Sequence, residues 1–234
     1  SKTSDGNYAL NITQAATQAE VTGSIEISGG LASAQTLTLT EAGPGGAVAT
    51  VELAEGDTLS QIVTKINGVL DSEVAEVRTS TVASTTDGST AITSDTAFSE
   101  IFGAGVQDGD TIRIQGADHR GNSVQDVFTI DDASTRTVGD LLAKVRSTFN
   151  SALTATVDAD GRISITDNQV GPSQLQVVLV EENEGGGSLD LGSLETVEAQ
   201  GRYPMEITAS NKDGYLHVEH DSYGDNNGFS ISGT

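Results

Sequence analysis

The sequence predicts an α+β fold, mostly β, made of two nested domains that each set an antiparallel β-sheet against one packed helix. Three observations carry this. Apolar residues alternate with polar ones along most of the 234 residues, the period of half-buried strands. Two stretches, near 58–70 and 137–149, replace that alternation with helical spacing. The second stretch repeats the first at a fixed offset, and the segments that follow it reappear at the far end of the chain.

The strand pattern begins with Tyr8, Leu10 and Ile12, then Ile25 and Ile27, then Leu37 and Leu39. Val51 and Leu53 follow a Gly-Pro-Gly-Gly turn at 43–46. Leu59, Ile62, Val63, Ile66 and Leu70 then recur on one helical face. Asp57 or Thr58 is suited to the N-cap, and Gly68 lies near the expected end. A strand resumes at 74–77, and the Ser/Thr-rich stretch 80–95 reads as a linker. Strands are expected at 111–115 and 124–130. A second helical face follows at Val138, Leu141, Leu142, Val145 and Phe149. Further strands are expected at 153–157, 162–166 and 174–180, then, past an acidic Gly-rich break at 181–188, at 205–208, 215–219 and 229–231.

The repeat has an offset of 79. Thr58 through Ile66 aligns with Thr137 through Val145; every core-facing position stays apolar, and Lys65 falls on Lys144. The second copy continues into Asp160-Gly161-Arg162-Ile163-Ser164-Ile165-Thr166 and then Gly171. The best counterpart of that continuation is Asp213-Gly214-Tyr215-Leu216-His217-Val218-Glu219 and then Gly224. The first copy is therefore expected to be interrupted. An outer discontinuous domain would comprise 1–90 plus 203–234, with an inner domain at 95–200.

Composition narrows the function. The formal net charge of −23 and pI near 4.1 repel phosphate backbones and anionic lipid, so neither nucleic acid nor a membrane surface is an expected partner. The absence of cysteine excludes disulfides, thiolate catalysis and Cys-ligated metals. Aromatic residues are 4% with no Trp, and Gly reaches 27 residues, which suits a turn-rich β protein with a small-residue core. No apolar run approaches the ~20 residues of a membrane helix. The opening residues 1–6 hold no signal-peptide apolar region, and the chain reads as a piece of a longer protein.

No catalytic constellation emerges. G-x-S-x-G, P-loop and H-E-x-x-H patterns are absent, and Gly103, Gly105 and Gly109 do not make the dinucleotide spacing. The adjacent acids Asp131-Asp132 and Glu181-Glu182 lie in loop contexts, and paired-carboxylate sugar chemistry would want aromatic platforms that are scarce here. Asp158–Gly161 and Asp225–Gly228 resemble calcium loops only faintly and read as tight turns. Asn11-Ile12-Thr13 matches a glycosylation sequon within a strand pattern. His217 and Glu219 share a strand face but lack a third ligand, so they read as a solvated face; His119 reads as a surface hairpin residue. No cofactor and no metal are expected, and the residues singled out are structural: Thr58, Leu59, Ile62, Ile66, Asn67, Val138, Leu141, Leu142, Val145, Asp160, Gly161, Asp213 and Gly214.

These motifs carry a family resemblance. Gly56-Asp57-Thr58-Leu59 through Ile62 and Ile66-Asn67, followed by a Val-rich strand, resembles the "IN" motif of flagellar hook and filament proteins. Thr137–Val145 followed by 157–167 resembles a second copy, with Arg146 where the motif has Asn. Tyr8-Ala9-Leu10-Asn11-Ile12-Thr13-Gln14 and the residues on to Ala19 resemble the Y-x-L-x-V-T-Q segment of filament cap proteins of the FliD family. The resemblance implies a non-enzymatic, homo-oligomeric cap at the filament tip. It would be exported unfolded, lie outside the cell and guide flagellin to fold and insert. It also implies two head domains, one inserted in the other, and terminal coiled-coil legs. The chain has no sustained heptads, so it is expected to be the head alone. The other readings are the outer variable domains of a flagellin or another hook-associated protein, because the same motif occurs there, and a tip adhesin binding host or surface glycans.

Overall fold

In a computed structural model, residues 16–43 and 46–234 are described. The expected strand at Tyr8–Ile12, the Tyr8–Ala15 part of the cap-like segment, the sequon and the Pro44-Gly45 turn lie outside them. The fold is α+β and mostly β, with thirteen strands and two α-helices among the described residues. The chain divides into two compact units, 1–71 with 205–234, and 72–204.

Among the described residues the first unit has β1 (Glu20–Thr22), β2 (Gln35–Glu41), β3 (Val48–Leu53) and α1 (Leu59–Leu70). It resumes with β11 (Ile207–Lys212), β12 (Tyr215–His220) and β13 (Phe229–Gly233). Two antiparallel sheets result, in the orders β1-β12-β11 and β13-β2-β3. Helix α1 buries Leu59, Ile62, Ile66 and Leu70 against the apolar faces of both sheets, with Leu39, Val51, Ile207, Ala209 and Val218 in the same core. The Met205 amide donates to the Leu70 carbonyl at 2.9 Å, so the returning chain re-enters this unit at the end of α1.

The second unit contains β4 (Ala75–Thr79), a 3₁₀ turn at Phe98–Glu100, β5 (Thr111–Ala117), β6 (Ser123–Thr129) and α2 (Val138–Thr148). It continues with β7 (Leu153–Val157), β8 (Ile163–Val170), β9 (Gln176–Glu181) and β10 (Thr196–Ala199). Its sheets run β10-β4-β8-β7 and β6-β5-β9. The core is aliphatic apart from Phe98, Phe128 and Phe149, as the low aromatic content requires. Its two chain ends are tied by reciprocal 2.9 Å bonds between the backbones of Val74 and Arg202.

The units share one plan. Each has a β-hairpin, a helix, a second hairpin and a single strand that returns to pair with the first strand of the first hairpin. β13 pairs antiparallel with β2 as β9 pairs with β5. Each second hairpin also accepts an extra antiparallel strand on its later member: β1 on β12, and β4 on β8.

That plan corrects three sequence expectations. The strand at 74–77, expected in the outer domain after α1, lies in the second unit. It belongs to β4, whose Val77 pairs with Thr166 of β8, and the strand that follows α1 within its own unit is β11. Residues 72–90 accordingly lie in the second unit rather than with 1–71. Nor is 80–95 a linker: Ser80 donates its amide to the Ile163 carbonyl and accepts the Ile163 amide at its hydroxyl, and Ile92 is buried. Its hydroxyls hide this in the sequence, because they satisfy local backbone groups of a packed loop. Ile25 and Ile27 are not in a strand, and Ile25 is exposed. No helix among the described residues is long and apolar enough to cross a membrane.

Candidate functional site

The residues singled out in the sequence assemble into a helix-to-edge-strand junction that occurs once in each unit. Its first part is the helix start. Thr58, not Asp57, is the N-cap of α1: its hydroxyl accepts the Gln61 amide at 3.4 Å, while the Gln61 side chain accepts the Thr58 amide at 2.9 Å. Thr137 and Asp140 make the same reciprocal pair at α2, at 3.3 and 3.1 Å. Two of the donors that a helix start leaves over are thus satisfied in each copy. Helix α1 runs past Gly68 to Leu70.

The apolar positions then fix the helix face. Leu59, Ile62, Ile66, Val138, Leu141, Leu142 and Val145 are all buried. Truncating any of the larger ones would cost about 2–5 kcal/mol, and this packing orients the polar residue that follows each core residue.

In the first copy that residue is Asn67. Its Nδ2 donates to the Ala209 carbonyl at 2.9 Å, and its Oδ1 accepts the Ala209 amide at 2.8 Å. Among the described residues strand β11 ends its sheet, and no described strand faces the outward amide and carbonyl of Ala209. The Asn amide has the donor and acceptor of a peptide group and takes the place of one. It both anchors the helix and covers an exposed edge.

The second copy has Arg146 at this position, and its Nη1 donates to the Ala155 carbonyl at 2.9 Å. Ala155 lies opposite Ile165 as Ala209 lies opposite Val218, and the sequence repeat had placed Val218 on Ile165. Arg146 therefore reaches the equivalent carbonyl of the equivalent edge strand. A guanidinium has no acceptor, so only the carbonyl half of the contact is kept.

The Asp-Gly turns close the hairpins that these anchors hold. Asp213 and Gly214 both have positive φ, 55° and 90°, as a two-residue hairpin turn requires. Asp160-Gly161 sits in a longer loop in which the Asp158 carboxylate accepts the Asp160 and Arg162 amides. Gly161 has φ +80°, and a Cβ there would stand 2.3 Å from the Ser84 carbonyl oxygen.

The matched lysines have different partners. Lys65 pairs with Asp57 at 2.5 Å and Lys144 with Asp126 at 2.5 Å. Each ammonium holds its partner's carboxyl below the usual carboxylate range, helped by a backbone amide from Ala54 or Val127.

Other sequence candidates are occupied locally. Asp131 pairs with Arg136, Asp132 accepts from Ser134, and Glu182 pairs with Arg113. Glu181 accepts the Leu191 amide, and burial pushes its carboxyl up. His119 is not a free surface residue: Nδ1 lies 2.7 Å from the Asp167 carboxylate, which is buried. His217 is not on a solvated face either; its side chain is 6% exposed. Neither burial was legible in the sequence, because the covering residues are distant in the chain.

No protein-family model matches the chain, and no curated protein matches it. Solved structures similar to it include structures of the flagellar cap protein FliD. The D2-D3 domains from Serratia marcescens align at 7% identity and a TM-score of 0.35, over 93% of this chain and 97% of that one. FliD (HAP2) from Pseudomonas aeruginosa PAO1 aligns at 11% identity and 0.35, over 93% and 83%. The D2-D3 domains from Escherichia coli align at 11% and 0.32, over 95% and 96%.

Proposed function

We propose that this chain is the head region of a flagellar filament cap, a structural assembly protein and not an enzyme. The observation that carries the reading is the doubled junction. The residues by which the sequence resembles flagellar "IN" motifs, Thr58 through Asn67 and Thr137 through Arg146, form the same capped helix anchored to the same edge carbonyl in both units. The nested order of the units suits the two-domain heads that the resemblance implies.

In this role the head is outside the cell at the filament tip, self-associates through the assembled cap, and guides incoming flagellin. A chain without cysteine passes unfolded through an export channel without disulfide traps. Its negative charge limits adhesion between exposed heads.

Immunogold labelling with antibodies against residues 72–204 tests the placement. The cap reading requires gold at the tips of filaments. Gold along the filament length contradicts it and favours a flagellin outer domain.

A further inference from the structure

We propose that Glu20, His217 and Glu219 form a binding site for a borderline divalent transition-metal cation of the zinc class, which fastens strand β1 to β12. The three residues converge within the first unit: Glu20 from the first described strand, and His217 and Glu219 from the same face of β12. One ligand atom from each lies within 4.8 Å of the other two.

The histidine is prepared for this role. Its Nδ1 lies 2.8 Å from the Thr22 hydroxyl. With the Nδ1 proton donated to that oxygen, the ring is fixed in the tautomer that leaves Nε2 free to ligate. Nε2 has no hydrogen-bond partner among the described residues, although the side chain is 6% exposed. It faces Glu20 Oε2 at 3.5 Å and Glu219 Oε2 at 3.6 Å. Those separations are long for hydrogen bonds. They match the edge of a tetrahedron around a zinc-type ion, about 3.4 Å for metal–ligand bonds of about 2.1 Å.

The pairing register gives a second, independent reason. Glu20 lies directly opposite Glu219, and like charges in that position weaken a strand pair. Among the described residues the cation paired with Glu20 is Lys212, whose Nζ is 3.7 Å from Glu20 Oε2 and whose side chain is half exposed. A divalent cation between the carboxylates turns the repulsion into a cross-link. One nitrogen and two carboxylate oxygens, with a fourth position left to water, is a set that zinc accepts. Because it contains a nitrogen, it favours zinc, cobalt or nickel over calcium or magnesium.

The test is calorimetric titration of the chain with Zn²⁺ in a non-chelating buffer, alongside Glu20→Gln, Glu219→Gln and a control, Glu55→Gln. His217 is left intact because it is buried. The expected result is one saturable equivalent, weakened at least about tenfold by each of the first two changes and not by the third. Added Zn²⁺ should also slow amide exchange at residues 20–22, and Co²⁺ should give the intense visible absorption of a tetrahedral site. Absence of saturable binding, wild-type affinity in either Glu variant, or calcium bound as tightly as zinc overturns the proposal.

Discussion

Replacing Asn67 by Ala should uncouple α1 from the edge of β11 while leaving the core volume unchanged. The substitution removes two hydrogen bonds, at 2.9 and 2.8 Å. Each is worth about 1.5 kcal/mol when its loss leaves a half-buried peptide group without a partner. Ala is the better helix former by about 0.6 kcal/mol, so the net cost is about 2.4 kcal/mol. For a unit of about 100 residues that is a drop in Tm of roughly 10–19 °C. Asn67→Asp should cost at least as much, because it keeps the acceptor but sets a carboxylate against the Ala209 carbonyl. Urea denaturation followed by circular dichroism gives the energy, and hydrogen exchange at the Ala209 amide gives the location. A cost below about 0.5 kcal/mol with Ala209 still protected would refute the anchoring argument.

Three other outcomes are expected. Residues 72–204 expressed alone should fold in one cooperative transition, and 1–71 joined to 205–234 by a short Gly-Ser linker should fold as well, since Met205 already bonds to Leu70; flat thermal melts for both would remove the nested arrangement. Gly161→Ala forces a Cβ at φ +80°, 2.3 Å from the Ser84 carbonyl. It should cost about 2 kcal/mol or more, seen as a lower urea midpoint for the second unit alone. The Asp57 and Asp126 carboxyls lie lower in the folded chain than in the unfolded one. Their contribution is therefore present above about pH 4 and lost as the pH falls through their folded values. Urea midpoints measured from pH 7 to 3 should fall less steeply in Lys65→Met and Lys144→Met than in the parent.

The repeat was legible because both helices keep the same apolar spacing and the same cap chemistry, which is local information. The match of Asp213–Glu219 to 160–166 worked for the same reason: Val218 and Ile165 hold equivalent cross-strand positions. What misled was sequence adjacency. The strand at 74–77 follows α1 in the chain as β7 follows α2, yet pairing places it on β8, as β1 is placed on β12. Arg146 looked like a departure from the motif, and only the strand register shows that it reaches the same carbonyl as Asn67. The third member of the His217 cluster was hidden for a related reason. β1 and β12 are brought together from opposite ends of the chain, 195 residues apart at the Thr22–His217 pair.

The most direct test of the cap assignment is complementation. The natural protein carrying this chain is expressed in flagellated cells lacking their own cap, with species-matched flagellin, and flagellin leaked to the medium is measured together with filament length. Restored filaments and reduced leakage are expected, both lost when residues 72–204 and the Asn67 anchor are removed together. Undiminished leakage from a folded, exported protein would contradict the cap assignment.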